Sequence, residues 1–238
     1  MRWLLAGLFA CVATAHAEAP AGFVKLSEID PTIVQIMGYA GSDNFIGRPI
    51  AGYQAPVCYL TRQAAETLKG VQAELLKQNM KLVVWDCYRP RKAVLDFLSW
   101  STDPKSQSMK SEFYPREDKA TLFNRGYVAR HSAHSSGSTV DLGIISVDGH
   151  AAPTKDQCGA YPRLPTNESL LDFGTGLDCL DVQAGTGAVG LTDQQKENRK
   201  LLADLMTTAG FRPYSKEWWH FQLANEPFPK REFDFDVK

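Results

Sequence analysis

The stretch HSSGSTVDLGIISV (134–147) decides how this chain folds. From Ser138 onward it is a short apolar run rich in β-branched residues, and it is followed by Asp148-Gly149, a dipeptide favoured in hairpin turns. That pattern is a buried strand turning back into an antiparallel partner. The first half is different. Between His134 and Asp141 stand mostly small hydroxylated residues and one glycine, which bury little apolar surface. They make a poor core segment and a good way to bend backbone tightly around something small. Asp141 itself is flanked by Val140 and Leu142. A carboxylate inside an apolar strand costs free energy unless it is paired or binds a metal.

Working outward, KLVVWDCY (81–88) is a second apolar strand, ending in a turn at Arg89-Pro90. Before it, Ala64, Ala65, Leu68, Val71, Leu75 and Leu76 recur at helical spacing, so a helix is expected over Thr61 to Met80. Pro90 suits the first turn of a further helix reaching Trp100. Thr192 and Gln195 form a capping-box signal and Gly210 a stop, which predicts a helix over Thr192 to Ala209. WWHFQL (218–223) reads as a final strand. Residues 23–60 read as loops and short strands, 101–128 as polar and ambiguous, and 150–190 as an irregular excursion. Strands and helices interleave irregularly, and hairpins join some strands. The expected fold is α+β: a single domain with a central, mainly antiparallel sheet flanked by helices.

At 238 residues, with 44% hydrophobic and 22% charged residues, the composition is that of an ordinary globular protein. A formal net charge of −1 gives no reason to expect nucleic acid or an anionic membrane as partner. MRWLLAGLFACVATAHA (1–17) has a basic start, a short apolar run and an Ala-His-Ala ending. It reads as a secretory signal peptide cut after Ala17, leaving 18–238 as the catalytic domain, exported to the periplasm with no stable membrane anchor. A lipoprotein reading on Cys11 is weaker, because Phe9 is bulky for such a site. The mature chain keeps Cys58, Cys87, Cys158 and Cys179, which in an exported protein suggest two disulfides with three possible pairings. Cys158 and Cys179 flank one loop-rich stretch, which favours that pair and leaves Cys58 with Cys87. No C-x-x-C pair suggests a structural zinc site.

Chemistry concentrates in three polar islands: HSSGSTVD, EWWH (217–220) and DCYRP (86–90). His134, Asp141 and His220 together offer two imidazole nitrogens and a carboxylate. That is a three-ligand zinc set, whose open fourth position suits activation of a water. Glu217, three residues before His220, is the candidate base for that water. In a flat strand these two face opposite ways, so sharing a site requires a bend between them. Arg89 is the candidate to stabilise a tetrahedral oxyanion. Ser132, His134 and Asp141 can also be drawn as a serine triad, but no G-x-S-x-G elbow is present and Glu217 and His220 would be left without a task.

The combination S-x-H-x6-D (Ser132, His134, Asp141) with a downstream E-x-W-H (Glu217, Trp219, His220) resembles the zinc D-alanyl-D-alanine dipeptidases, the VanX-type peptidases. YAGSDNFIGRPI (39–50), DCYRP and DFGTGLD (172–178) are similar to further segments of that family. The resemblance implies one Zn2+ per chain held by His134, Asp141 and His220. It also implies Glu217 as general base and Arg89 at the tetrahedral intermediate. Ser132, Tyr39 and Asp178 would bind the amino end of a D-Ala-D-Ala dipeptide. The stretch between Asp141 and Asp178 is longer than the family's usual one and contains Cys158. Competing functions are a D,D-carboxypeptidase or endopeptidase on longer wall peptides, and a non-catalytic zinc-stabilised wall-binding module. Oligomeric state is not legible.

Overall fold

The computed structural model describes residues 19–147, 158–161, 164 and 167–238. The expected signal peptide (1–17) and the Asp148-Gly149 turn lie outside the described residues. In chain order, strand β1 (Phe23–Lys25) runs into a one-turn helix α1 (Leu26–Ile29) and strand β2 (Val34–Gln35). Strand β3 (Tyr59–Thr61) leads into helix α2 (Arg62–Leu76), and β4 (Met80–Asp86) is followed by α3 (Arg91–Thr102). A short helix α4 (Lys110–Phe113) precedes β5 (Thr139–Ser146) and β6 (Ser169–Leu170). Helix α5 (Asp193–Thr208), β7 (Phe211–Tyr214) and β8 (Glu217–Leu223) follow.

The main sheet has the order β2-β4-β5-β8-β7, with β6 pairing to β5. Among the described residues β2·β4 is the parallel pair and the others are antiparallel. This is the expected α+β single domain with a mainly antiparallel sheet. β5 lies between β4 and β8, and all eight of its residues are buried, which is why it reads as a near-continuous apolar run. Helix α2 buries Ala64, Ala65, Leu68, Val71 and Leu75 in the larger core. Leu76, also part of the apolar spacing, is 46% exposed. The capping box on α5 is formed, and Gly210 leaves the helix with φ +95°. A second, aromatic core gathers Tyr39, Phe45, Tyr88, Phe97, Trp100 and Tyr114 around α3. The expected disulfides Cys58–Cys87 and Cys158–Cys179 are both present.

Two register shifts shape one end of the sheet. In β4, Val84 pairs with Leu142 and Asp86 with Asp141, so Trp85 is the extra residue. Between β7 and β8, Pro213 pairs with Phe221 and Tyr214 with Glu217. Three residues of β8 are thus accommodated in one step of β7. Such bulges bend a strand and re-aim its side chains. Here the β7–β8 shift supplies the bend that Glu217 and His220 need.

HSSGSTVD folds as a single tight turn, Ala133–Ser136, followed by Gly137 in the left-handed region (φ +82°) and then β5. A Cβ on Gly137 would lie 2.2 Å from the Phe23 ring, so both backbone conformation and space demand glycine. Gly137→Ala is expected to cost about 1–3 kcal/mol from the backbone strain, plus displacement of Phe23. A clear drop in the urea midpoint checks this; an unchanged midpoint would contradict it.

Candidate active site

Tyr39, Arg89, Ser132, His134, Asp141, Asp178, Glu217 and His220 all line one cavity of about 340 Å³ at the bulged end of the sheet. Strand pairing delivers three of the polar groups. Asp141 on β5 sits opposite Asp86 on β4 and opposite His220 on β8. His134 arrives from the turn before Gly137, and Glu217 from the start of β8.

The three candidate ligands are close-set. His134 Nε2 is 3.3 Å from Asp141 Oδ2 and 3.2 Å from His220 Nδ1, and His220 Nδ1 is 3.0 Å from Asp141 Oδ1. Ligands of a tetrahedral zinc, each about 2.0–2.1 Å from the ion, are separated by about 3.3 Å. Asp141 Oδ1 is buried and makes no hydrogen bond among the described residues. His134 Nδ1 donates to the Cys87 carbonyl at 2.7 Å, which fixes the ring with Nε2 facing the other two donors. An orphaned carboxylate oxygen and two converging imidazole nitrogens fit a divalent cation. The same arrangement excludes the serine triad, since neither nitrogen of His134 is turned to Ser132. Ser132 Oγ instead lies 3.5 Å from Arg89 Nη1.

Arg89 is gripped from behind. Its Nε and Nη2 donate to Asp86 Oδ2 at 2.9 and 2.7 Å, and Tyr53 donates to Asp86 Oδ1 at 2.7 Å. Nη2 is also 3.8 Å from Asp141 Oδ2. The guanidinium lies over the rings of Phe97 and Tyr39 at 5.0 and 5.5 Å. Burial opposes its charge, but Asp86, Tyr39, Tyr53 and Asp141 outweigh burial, so it stays cationic. Asp86, fully buried, is a site residue that sequence reasoning missed. The signal was present: it is the acid ending an apolar strand, as Asp141 is an acid within one.

The carboxylates divide into two kinds. Burial alone would raise the Asp141 carboxyl, but His134 and His220 hold it well below the usual range. Burial, with Asp141 nearby, pushes Asp178 up to about 7. Burial pushes Glu217 up to about 7 as well, against His220 at 3.5 Å. Asp178 accepts a 2.7 Å hydrogen bond from the Tyr39 hydroxyl and has left-handed backbone, φ +55°. Strained backbone of this kind concentrates at functional sites. His131, by contrast, is exposed beside Glu232, and His150 lies outside the described residues.

An acid whose folded pKa is raised destabilises the fold as pH climbs from the unfolded value to the folded one. For Asp178 that window runs from 3.8 to about 7. Asp178→Asn is therefore expected to raise the Tm of the metal-free protein at pH 7.5, with the gain vanishing near pH 4. A variant less stable than the parent at pH 7.5 would contradict this.

The family model described as D-Ala-D-Ala dipeptidase, peptidase family M15, matches residues 19–154 and 162–238. A D-alanyl-D-alanine dipeptidase of Enterococcus faecium is 35% identical over 217 residues, covering 91% of this chain and 98% of that protein. One from Streptomyces coelicolor is 36% identical over 199 residues, 84% of this chain and 90% of that protein. One from Escherichia coli is 28% identical over 200 residues, 84% and 83% of the two chains. The crystal structure of the vancomycin resistance D,D-dipeptidase VanXYg with a D-Ala-D-Ala phosphinate analogue is a distant likeness. Its TM-score is 0.35 at 17% identity, covering 86% of this chain and 67% of that one. With the family model spanning nearly all of the described chain and two relatives above 30% identity, this chain belongs to the D-Ala-D-Ala dipeptidase family of peptidases.

Proposed function

We propose that this chain is a zinc dipeptidase that hydrolyses D-Ala-D-Ala to two D-alanines. The observation that carries the reading is the charge around the cavity. Asp86, Asp141, Asp178 and Glu217 converge there, with the Arg89 guanidinium buried among them. One dication at His134, Asp141 and His220 and one ammonium at Asp178 balance the remaining negative charge. A dipeptide with a free amino end brings that ammonium. The relatives named D-alanyl-D-alanine dipeptidase support this choice of substrate.

Zinc held by His134 Nε2, Asp141 and His220 Nδ1 would polarise the scissile carbonyl and acidify a water. The chain's own residues do the rest. Glu217 takes the proton of the attacking water on a carboxylate oxygen and passes it to the nitrogen of the departing D-alanine. The bulge in β8 puts it beside His220 for this task. Arg89 uses Nη1 to meet the carbonyl oxygen as negative charge grows there, while Asp86 holds its other nitrogens. Asp86 acts through Arg89 and is a positioning residue. Asp178, oriented by the Tyr39 hydroxyl, receives the ammonium, and Ser132, which lines the same cavity, offers an acceptor oxygen. Phe97, Val94 and Leu180 line the cavity with apolar surface suited to methyl side chains. Arg212, exposed at the rim of the same cavity, supplies a cation for the dipeptide's carboxylate.

We also place the enzyme outside the cytoplasm, in the periplasm. The two disulfides support an oxidising compartment, in keeping with the signal-like residues 1–17. Export suits recovery of wall dipeptide better than control of precursor supply.

The zinc-loaded protein is expected to release D-alanine from D-Ala-D-Ala but not from its N-acetylated form or from a muramyl pentapeptide. Cleavage of the blocked or longer substrates would make it a wall carboxypeptidase instead. Glu217→Gln should lower kcat by about 10²–10⁴ while zinc content stays at one per chain. Full activity in that variant would remove Glu217 from the mechanism.

A further inference from the structure

Cys179 directly follows Asp178, and its disulfide partner Cys158 belongs to a segment that clamps the same stretch of chain. The clamp is a backbone zipper. Gly176 N donates to Cys158 O at 2.8 Å, Ala160 N to Leu177 O at 2.8 Å, and Leu177 N to Ala160 O at 3.0 Å. The two backbones approach so closely that neither glycine has room for a side chain. A Cβ on Gly159 would lie 2.5 Å from Leu177 O, and one on Gly176 would lie 2.4 Å from Ala160 O. The clamp is tied to the rest of the protein through Gly159 N, which donates to Glu112 O at 2.8 Å. Leu180 N donates to Phe113 O at 2.8 Å on the far side of Asp178.

Residues 155–161, which include Cys158 and the whole zipper strand, fall between the two stretches that the family model matches. Asp178 therefore rests on a support that lies outside the matched stretches. It needs one. Its φ is +55°, in a region that costs a non-glycine residue free energy, and its carboxylate is buried where burial disfavours charge. A backbone held in that conformation persists when its surroundings over-determine it. Here a covalent bond at the next residue and a zipper at the preceding two supply that constraint.

We infer that the Cys158–Cys179 cross-link is a positioning device for the amino-end subsite, fixing Asp178 where the substrate ammonium binds. The inference rests on the dipeptidase reading above. The cross-link does not touch the metal donors or Glu217, which are held by β5, β8 and the turn at residues 133–137. Breaking it loosens the grip on the free amino end while leaving the reacting end in place. In kinetic language that is an effect on KM and not on kcat.

The test compares the zinc-loaded parent with a Cys158→Ser/Cys179→Ser double variant on D-Ala-D-Ala. Loss of the cross-link should raise KM about tenfold, misplacement of a binding group being costly, with kcat within about twofold and zinc content unchanged. In an Asp178→Asn background the same pair of changes should add nothing further to KM, since the two act through one group. If the double variant does not fold, the parent is titrated with dithiothreitol. The reductant converts the disulfide to two thiols and is itself oxidised to its cyclic disulfide. Cys158 is partly exposed while Cys58 and Cys87 are fully buried, so the first bond to open, identified by thiol labelling and mass, is Cys158–Cys179. KM should rise as it opens. An unchanged KM in either format overturns the inference, as does a fall in kcat and zinc content together or an equal KM effect in the Asp178→Asn background. A parent that does not hydrolyse D-Ala-D-Ala overturns the functional reading itself, and the inference with it.

Discussion

Everything at this site depends on where Asp141 sits. It is a buried carboxylate on the middle strand of the sheet, with Asp86 across one strand boundary and His220 across the other. Two acids placed side by side out of water repel and lose hydration. The structure answers with a cation on one side and imidazoles on the other. Arg89 bonds Asp86 and approaches Asp141, while His134 and His220 bring their nitrogens within 3.3 Å of its oxygens. Because that cluster is held by strand register, a one-residue slip of β8 would turn His220 away from Asp141. The bulges and the Gly137 turn set where that register puts each donor.

The same arrangement explains why the cavity carries more acid than the fold can use. A protein selected for stability alone has little reason to bury Asp178 at left-handed φ, or Glu217 beside Asp141. Both carboxyls are pushed up to about 7 by burial. On the proposed function, a bound dication and a substrate ammonium would offset both. On that reading their burial costs the protein stability in return for binding, a trade seen where function and stability compete.

Much of this was legible in the sequence, for physical reasons that differ residue by residue. β5, α2 and α5 announce themselves through apolar periodicity and a capping box. His134, Asp141, Glu217 and His220 stand out because polar groups interrupt apolar strands. Tyr39 and Asp178 carried no such local signal and were reached through family resemblance. Asp86 carries a signal, an acid ending an apolar strand, but its role depends on lying opposite Asp141, a matter of register. The bulges that solve the geometry of Glu217 and His220 were illegible for the same reason: a register shift belongs to two strands at once. β7 was hidden by its brevity and by Pro213. The zipper of residues 158–161 against 176–177 is a contact between loop segments, which no periodicity reports. The cysteine pairing alone hinted at it.

The most direct test of the central claim is the coordination of zinc by the protein, read by X-ray absorption on metal-free protein titrated with Zn2+. The expected result is one ion per chain in a shell of two imidazole nitrogens, a carboxylate oxygen and one further light atom, with both imidazoles lost from the spectrum when His134 and His220 are changed to Ala. A sulfur-containing shell, or the same spectrum after those changes, would mean that the cluster around Asp141 is not the metal centre.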